Sequence, residues 1–449
     1  MTTTVVEERH EVVETLITEA KQAQEIYAQF TQEQVDHIVQ AVSDRMTEVA
    51  EDLAMKAHTE TGFGNVKDKT TKNLFASQKV YESIKEEKTV GIIHRDEEKK
   101  VMEIGTPMGI IAALIPVTNP TSTVIFKTLI SLKTRNAIVL SPHPKALQAI
   151  LETARLVEEA AVKAGAPKGI IQVIESPSLE GTQALMKHED TALILATGGA
   201  AMVKAAYSSG NPAIGVGPGN GPAFIEKSAN IEATIDKIIQ SKTFDCGTIC
   251  ASEQSIVVEE AVKGEVVEAL KARNAYFMSK EESEQVAKFI MRENGTMNPQ
   301  IVGKPVTDIA QLCGISIPAE TTVLIAEVTT VGADNPYSRE KLTPILAMYT
   351  VNDWEAGVQT CNTILENEGQ GHTAMLHTTD EALVEDFGTR IKASRILINT
   401  LGTLGGIGAS TNLAPSLTLG CGSLGGSSIT DNVSIRQLMN IHRVAYGVE

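Results

Sequence analysis

Short apolar runs without polar alternation restrict the fold of this chain more than any other feature. They begin at residue 108, and stretches with helical spacing of apolar residues separate them. Strands buried on both faces have this pattern, and βαβ units join such strands into a parallel sheet. The runs are 108–115, 137–140, 169–174, 192–196 and 223–225, and the intervening helices are expected at 144–164, 179–187 and 200–208. A dinucleotide-binding domain is one candidate for such a sheet.

A second series of helices and strands follows residue 226. It starts with a helix at 231–241 and a strand at 254–258 and continues to about residue 399. Two α/β units in one chain predict two lobes with a cleft between them, where a ligand site is expected.

Two further elements precede these units. Apolar residues at helical spacing predict one long amphipathic helix from about 32 to 61, and Thr31 with Gln34 has the form of a capping box. Residues 89–106 read as two short strands around a charged turn, which predicts a hairpin. A plain surface hairpin and an oligomer contact are both open interpretations.

Composition excludes several classes of function. The 449 residues contain 39 basic and 56 acidic side chains, a net charge of −17, which disfavours nucleic acid as the partner. No apolar run is long enough to span a bilayer, and the amino terminus has no secretory signal pattern. Five cysteines, an odd number in a large chain, argue against a disulfide scaffold. We therefore expect a cytoplasmic protein without a membrane partner.

The segment SKTFDCGTICASEQ, residues 241–254, carries the most chemistry. It places Cys246 and Cys250 in a loop before a strand, where a thiol can be held by rigid neighbours. A buried structural cysteine is the alternative. A metal half-site is disfavoured, because no second Cys or His pair of suitable spacing lies nearby.

Within this segment, TFDCGTICASEQSIVV resembles the nucleophile segment of the CoA-acylating aldehyde dehydrogenases, most closely the aldehyde half of the bifunctional aldehyde-alcohol dehydrogenases. Matching stretches follow in family order over nearly the whole chain. They include LATGGAAMVKAAYSSGNPAIGVGPGN, REKLTPILAMY, EGQGHTA, RILINT and LAPSLTLGCGS. The resemblance ends where those proteins continue into an iron-dependent alcohol dehydrogenase, so a stand-alone aldehyde domain is expected.

The resemblance implies the α/β aldehyde dehydrogenase fold, with a Rossmann-like lobe, an α/β catalytic lobe and an oligomerisation element. We assign residues 1–226 to the dinucleotide-binding domain, with the hairpin 89–106 used for oligomerisation. Residues 227–420 form the catalytic domain with the nucleophile, and 421–449 form a tail for oligomerisation. A homodimer or higher homo-oligomer is expected.

The resemblance also assigns the reacting groups. Cys250 matches the nucleophile, which adds to the aldehyde as a thiolate and gives a thiohemiacetal. Asn119 matches the side-chain amide that donates to the developing oxyanion, with the Cys250 backbone N–H as second donor. An Asn-Pro turn is the structural alternative for Asn119. His372 matches a histidine near the nucleophile, which would deprotonate coenzyme A or orient the acyl group, although a structural role is also open.

Cofactor residues follow in the same way. Thr197, Gly198 and Gly199 match the dinucleotide contact at a strand end that opens a helix. Ser141 and His143 lie where the adenosine ribose is expected, and their identity leaves NAD and NADP both open. The resemblance assigns Glu340 to the nicotinamide ribose, with a plain surface acid as the alternative. Five cations in the first lobe would counter the charge of the cofactors: Lys127, Lys133, Arg135, Lys145 and Lys204.

One absence defines the expected reaction. Hydrolytic aldehyde dehydrogenases carry a water-activating glutamate after the dinucleotide helix, whereas residues 196–225 contain neither Asp nor Glu. The thioester is therefore expected to wait for coenzyme A, so that aldehyde, CoA and NAD⁺ give acyl-CoA and NADH, reversibly.

Three points stay open in the sequence. Cys246 stands where similar enzymes tend to have Asn, and it is either an inert packing residue, a resolving thiol or a polar substitute. Acetaldehyde is the expected substrate, with sulfoacetaldehyde or succinate semialdehyde as alternatives, because the strings INTLGTLGGIGASTN and GCGSLGGSSI depart from the bifunctional pattern. A catalytically inactive structural homologue is the competing interpretation.

Overall fold

Strands of the computed structural model account for the apolar runs of the sequence. The model describes residues 3–448, with side chains from residue 10 onward. Its strands, in chain order, are β1 (Gly91–Asp96), β2 (Val101–Pro107), β3 (Ile110–Ile115), β4 (Ala137–Pro142), β5 (Ile171–Val173), β6 (Thr191–Thr197), β7 (Ala213–Val216), β8 (Gly221–Ile225), β9 (Glu253–Glu259), β10 (Ala275–Phe277), β11 (Val323–Glu327), β12 (Ile345–Val351), β13 (Gly371–His377), β14 (Ala393–Ile398) and β15 (Met439–Ala445).

Helices separate the strands. In chain order they are α1 (Thr3–Tyr27), α2 (Gln32–Glu48), α3 (Ala50–Thr61), α4 (Val66–Leu74), α5 (Val80–Ile84), α6 (Pro120–Lys133), α7 (Leu147–Lys163), α8 (Leu179–Lys187), α9 (Ala200–Tyr207), α10 (Ile231–Thr243), α11 (Glu260–Ala272), α12 (Lys280–Ile290), α13 (Val306–Cys313), α14 (Trp354–Asn367), α15 (Glu381–Arg390) and α16 (Gly402–Gly406). A π-helical turn, Phe75–Lys79, joins α4 to α5.

Within residues 3–448 the strands form three sheets. A five-stranded sheet has the order β5-β4-β3-β6-β7, and a seven-stranded sheet has the order β10-β11-β12-β9-β8-β13-β14. Both are parallel throughout. The third sheet is antiparallel and joins the hairpin β1-β2 to β15 near the carboxyl end. The predicted parallel sheet and the hairpin are therefore present.

Two sequence predictions need correction. The expected helix from 32 to 61 is two helices, because Val49 leaves helical geometry, with φ −100° and ψ 12°, between α2 and α3. The capping box of Thr31 and Gln34 does form at the start of α2. Strand β8, which the sequence grouped with the first series, belongs to the seven-stranded sheet, where it pairs with β9 and β13. The domain limits themselves stay a prediction.

Apolar side chains bury both faces of the seven-stranded sheet. Alternate residues of one strand enter different cores: Phe224 of β8 packs on one face, and its neighbours Ala223 and Ile225 pack on the other. The five-stranded sheet shares a core with helices α1, α2 and α6. This double coverage explains why the sequence shows continuous apolar runs rather than alternation.

Two further observations concern the cysteines and the length of the helices. All five cysteines are free thiols. Among the residues described, 3–448, no helix combines the length and the apolar character that a membrane crossing requires.

Helix α14 provides a test of the packing. Gly357 lies against Phe224, and a Cβ built on Gly357 would be 2.0 Å from the Phe224 ring. Phe224 is itself stacked on Trp354, with ring centroids 5.3 Å apart, so the ring has little room to move. We expect Gly357→Ala to lower the free energy of unfolding by about 1–3 kcal/mol through overpacking.

The matched control is Gly264→Ala in α11. A Cβ at Gly264 meets no atom within 4 Å, so Ala should raise the free energy of unfolding by about 0.5–1 kcal/mol through helix propensity. Urea unfolding of both variants measures the two effects. An equal response of the two sites would contradict the packing described here.

Candidate active site

The candidate site lies where the segment after β3 of the five-stranded sheet contacts the segment before β9 of the seven-stranded sheet. Asn119 follows the carboxyl end of β3, and Cys250 precedes the amino end of β9. The Asn119 side-chain nitrogen Nδ2 donates to the Thr248 carbonyl at 3.2 Å, which joins the two sheets directly beside the thiol. The sequence predicted both residues, and the structure brings them together.

The loop before Cys250 has strained backbone. Asp245 and Cys246 lie in a short 3-10 turn, Phe244–Gly247, with φ values of 47° and 52°. Left-handed geometry is unfavourable for residues with a Cβ, and two in succession require the surrounding structure to hold them. What holds this turn is the side chain of Asp245.

The carboxylate of Asp245 is fully buried and accepts hydrogen bonds from several segments. Its donors are the Asn65 backbone N–H at 2.9 Å, Lys69 Nζ at 3.0 Å, Thr248 Oγ1 at 2.6 Å and Lys72 Nζ. Burial acts to raise the pKa of Asp245, but Lys72 and Lys69 outweigh it, and the pKa stays below its ordinary value. The carboxylate is therefore ionised and fixed.

Lys69 and Lys72 were not singled out by the sequence analysis. They lie one turn apart on α4, and both are almost completely buried. Burial lowers the pKa of Lys72 to about 8, although Asp245 opposes this effect. Two lysines at i and i+3 in a short helix, KDKTTK, are the signal that the sequence contains. Their partner lies more than 170 residues away, so no local pattern identifies it.

Cys250 is half-buried beside Gly219. A Cβ built on Gly219 would lie 2.0 Å from the Cys250 carbonyl oxygen and 3.3 Å from His372 Cε1, so both residues flank this glycine. Burial raises the pKa of the Cys250 thiol to about 12; Glu340 and Cys421 add to this effect, and Arg395 opposes it. The thiol is protonated in the resting site.

His372, predicted near the nucleophile, lies at the start of β13. Its Nδ1 is 2.8 Å from Thr373 Oγ1, and its buried Nε2 has no hydrogen-bond partner anywhere in the described residues 3–448. Burial, with Arg395 adding to it, holds the pKa of His372 well below its ordinary value. The imidazole is therefore neutral, and the same burial disfavours its protonated form.

Arg395 of β14, which carried no assigned role in the sequence, supports this strand end. Its guanidinium donates to the His372 carbonyl at 2.9 Å and to the Gly420 carbonyl at 2.5 Å. It thereby joins β13 to the loop that contains Cys421.

Glu340 also reaches this centre. Its Oε1 accepts a hydrogen bond from the Gly219 backbone N–H at 2.9 Å, and its own N–H donates to Glu368 Oε2 at 2.6 Å. Burial raises the pKa of Glu340 to about 8, with Glu368 adding to the effect. Glu340 is thus hydrogen-bonded to Gly219, the same glycine that lies against the Cys250 carbonyl.

The predicted dinucleotide residues lie along the carboxyl edge of the five-stranded sheet. Thr197 ends β6, and its buried Oγ1 is without a partner in the described part of the chain. Gly199 precedes α9 without any side-chain cap, and a Cβ there would meet nothing within 4 Å. Gly198 lies between them, with only Met202 nearby. The edge therefore offers free backbone N–H groups and open space.

The two residues predicted for the ribose differ. Ser141 is buried, and its hydroxyl is 2.8 Å from Thr182 Oγ1. His143 is partly exposed and accepts the Lys145 backbone N–H at 3.1 Å; burial and, to a smaller extent, Lys145 lower its pKa. Of the two, His143 is the one that faces outward.

Three of the five cations expected to offset cofactor charge are used inside the protein, which corrects that prediction. Lys127 donates to the Leu114 and Leu195 carbonyls at 2.8 and 2.9 Å. Lys133 and Arg135 are likewise buried and donate to carbonyls and to a carboxylate within the fold. A sequence cannot distinguish these buried lysines from solvated ones.

Comparisons with known proteins agree with this geometry. The model of the aldehyde dehydrogenase family matches residues 1–412. The bifunctional aldehyde-alcohol dehydrogenase of Escherichia coli (strain K12) is 48% identical over 439 residues, which are 97% of this chain and 49% of that protein. The chain thus spans about half the length of this relative.

Two solved structures are similar over nearly their whole length. A probable aldehyde dehydrogenase from Listeria monocytogenes EGD-e has a TM-score of 0.97 and 56% identity, covering 99% of this chain and 98% of that one. An acetylating aldehyde dehydrogenase from Geobacillus thermoglucosidasius has a TM-score of 0.97 and 52% identity, with the same coverage. These matches confirm the resemblance and the fold that the sequence predicted.

The reactivity of Cys250 provides a test of its environment. Below a pKa of about 12, the thiolate fraction rises tenfold for each pH unit. Alkylation of Cys250 by iodoacetamide should therefore accelerate about 100-fold from pH 7 to pH 9 without a plateau. Mass spectrometry of the Cys246→Ala variant assigns the modification to Cys250. A plateau between pH 8 and pH 9 would contradict this environment.

Proposed function

We propose that this chain, which belongs to the aldehyde dehydrogenase family, is a CoA-acylating aldehyde dehydrogenase. The reaction converts aldehyde, CoA and NAD⁺ into acyl-CoA and NADH and runs in both directions. The similarity to an acetylating aldehyde dehydrogenase over 98% of that chain supports this proposal.

The observation that carries the proposal is the absence of a base on the segment that passes over the nucleophile. Gly219 packs against the Cys250 carbonyl, and residues 196–225, which include it, contain no Asp or Glu. Glu340, the carboxyl group that contributes to the raised pKa of the Cys250 thiol, accepts a hydrogen bond from the Gly219 N–H. Water near a thioester on Cys250 would therefore lack an activating base on this segment.

The first bond forms between Cys250 Sγ and the aldehyde carbon. The thiol proton passes to solvent, and the carbonyl oxygen gains negative charge, which the Asn119 amide and the Cys250 backbone N–H would stabilise. Asn119 Nδ2 has two hydrogens, and the Thr248 carbonyl accepts one of them. The second contacts the Thr118 hydroxyl at 3.3 Å, a long hydrogen bond that the aldehyde oxygen would replace.

A nicotinamide dinucleotide fits the edge that holds Thr197, Gly198 and Gly199. The unpartnered Thr197 hydroxyl, the uncapped start of α9 and the open space at Gly199 suit a pyrophosphate group. When bound, the cofactor accepts the hydride from the reacting carbon. His143 would face the adenosine ribose, and Glu340 the nicotinamide ribose. Parallel assays with NAD⁺ and NADP⁺ decide between the two cofactors.

Acyl transfer needs a proton acceptor for the CoA thiol. The neutral imidazole of His372, whose Nε2 is free among residues 3–448, flanks Gly219 on the side of Cys250. We assign to it either the removal of the thiol proton or the orientation of the acyl group. The CoA sulfur then bonds to the acyl carbon, and the Cys250 thiolate leaves.

Acetaldehyde is the proposed substrate. The similarity to an acetylating aldehyde dehydrogenase, 52% identical over 98% of that chain, supports it. A cavity of about 380 Å³ lies against the nucleophile loop at Phe244, but neither Cys250 nor Asn119 lines it, so its lining does not select among aldehydes.

A homo-oligomer in the cytoplasm completes the proposal. The antiparallel sheet of β1, β2 and β15 exposes apolar side chains, among them Ile92 at 45% and Val444 at 37%. These residues belong to the hairpin and the tail for which the sequence predicted oligomer contacts.

The roles of the two loop cysteines can be separated by substitution. We expect Cys250→Ala to abolish acyl-CoA formation, by several orders of magnitude, while NAD⁺ binds nearly as well as before. Cys246→Ala should retain most of the activity, because Cys246 has no assigned chemical role. Steady-state assays with fluorescence titration of NAD⁺ measure both. An active Cys250→Ala enzyme together with an inactive Cys246→Ala enzyme would reverse the assignment.

The missing base predicts the behaviour without CoA. Mixing enzyme, acetaldehyde and NAD⁺ should give a burst of NADH near one equivalent per site, followed by a nearly flat line. Base activation of water is typically worth about 10²–10⁴ in rate, and the segment over Cys250 does not supply it.

The decisive comparison is with the same mixture plus CoA. Steady turnover to carboxylic acid at a rate close to the CoA-dependent rate would mean that another group, such as His372, activates water. The chain would then be a hydrolytic aldehyde dehydrogenase.

A further inference from the structure

The ammonium group of Lys72 joins helix α4 to two other segments at the candidate site. Its Nζ donates to Asn119 Oδ1 at 2.6 Å, to Thr248 Oγ1 at 2.9 Å, and to the Asp245 carboxylate. A lysine ammonium has three hydrogens, so each one has a partner. With the side chain only 2% exposed, neither the position nor the direction of these bonds is free to change.

This contact determines how the Asn119 amide is oriented. An ammonium only donates, so it contacts Oδ1 and cannot contact Nδ2. Nδ2 therefore lies on the opposite side, where it donates to the Thr248 carbonyl at 3.2 Å, two residues before Cys250, and to the Thr118 hydroxyl at 3.3 Å. The reverse orientation would direct the lone pairs of Oδ1 towards a developing oxyanion.

Lys69 gives an internal comparison. It lies one turn before Lys72, is similarly buried, and binds the same oxygen of Asp245 at 3.0 Å. Its second bond goes to the Thr118 backbone carbonyl at 3.2 Å, not to the Asn119 amide. Lys69 thus supports the loop, whereas Lys72 also contacts the amide.

The cluster does not act through surplus charge. Lys69 and Lys72 face the carboxylates of Asp245 and Asp68, and Asp68 accepts the Asp245 backbone N–H at 2.7 Å. Two cations and two anions balance. The contribution of Lys72 is directional, because a hydrogen bond to Oδ1 polarises the amide and strengthens its N–H donors.

We infer that Lys72 is a positioning residue that orients the Asn119 amide as the oxyanion donor. This inference rests on the proposed function, in which Cys250 adds to an aldehyde. Lys72 itself touches neither substrate nor cofactor in this assignment.

The test is a double-mutant cycle on the NADH burst without CoA. Lys72→Met should lower the burst rate constant at saturating acetaldehyde about 10- to 100-fold, a loss comparable with that of an oxyanion donor. The apparent KM for acetaldehyde and the rate of Cys250 alkylation should change less than about threefold. In an Asn119→Ala background, Lys72→Met should lower the burst rate constant by less than about threefold, because the amide is already absent.

Two single variants control for structural damage. Lys69→Met removes a bond to the same carboxylate and should reduce the burst rate constant far less than Lys72→Met. Lys133→Met removes a buried lysine outside the site, whose Nζ donates to Asp36 Oδ1 at 2.6 Å. This variant should leave the burst unchanged. If Lys72→Met does not fold, Lys72→Met is combined with Asp245→Asn, which removes one buried cation and one buried anion, and its burst rate constant should fall about 10- to 100-fold below that of Asp245→Asn alone.

Several results would overturn the inference. One is that the losses of burst rate constant in Lys72→Met and Asn119→Ala multiply fully in the double variant. Another is that Lys69→Met loses as much as Lys72→Met. The others are a parallel fall in the rate of Cys250 alkylation, or a burst rate constant in Lys72→Met equal to that of the wild type. A wild-type enzyme without any burst would instead overturn the proposed function, so the two failures are distinguishable.

Discussion

The buried carboxylate of Asp245 is the interaction on which the geometry of the site depends. It bonds to the start of α4, to both lysines of that helix and to Thr248, and so connects segments that are more than 170 residues apart. Removing one partner of a buried ion pair typically costs about 3–5 kcal/mol, because the remaining charge stays desolvated. This ion holds two left-handed residues directly before the nucleophile segment, where the backbone alone would relax.

The meeting of the two parallel sheets explains why different chemistry collects on each side of the thiol. The five-stranded sheet presents its carboxyl edge, where Asn119 follows β3 and Thr197 ends β6, each just before a helix. Such edges suit anions and nucleotides, because helix amino ends direct N–H groups outward. The seven-stranded sheet presents its amino edge, which supplies Cys250 before β9 and His372 in β13. In the proposed function, Asn119 and the dinucleotide contact therefore come from the five-stranded sheet, and Cys250 and His372 come from the seven-stranded sheet.

The sequence predicted most strands, because these depend on local patterns. The apolar runs located β3 to β6, and Thr31 with Gln34 marked the start of α2. What it missed depends on distant contacts. The break at Val49 and the sheet to which β8 belongs follow from packing against other elements, and the partner of Lys72 comes from the nucleophile loop. The family resemblance supplied the reacting residues, whereas their supports became visible only in three dimensions.

Burial has one consequence for all three titratable groups closest to the reaction. It raises the pKa of Cys250 to about 12 and that of Glu340 to about 8, and it lowers that of His372. In each case the neutral form gains, because a low-polarity environment penalises charge. The permanent charges of the site lie instead in the cluster of Lys69, Lys72, Asp68 and Asp245, whose two cations and two anions balance. A thiol that is protonated at rest is protected from oxidation and alkylation. In the proposed reaction, Cys250 becomes a nucleophile when its proton is lost and the substrate carbonyl receives the electron pair, while the Asn119 amide stabilises the oxygen. Because the resting thiol is protonated, the proposed reaction depends on donors that are already in place, and the buried hydrogen bonds from Lys72 to Asn119 and to Asp245 hold one of these donors in position.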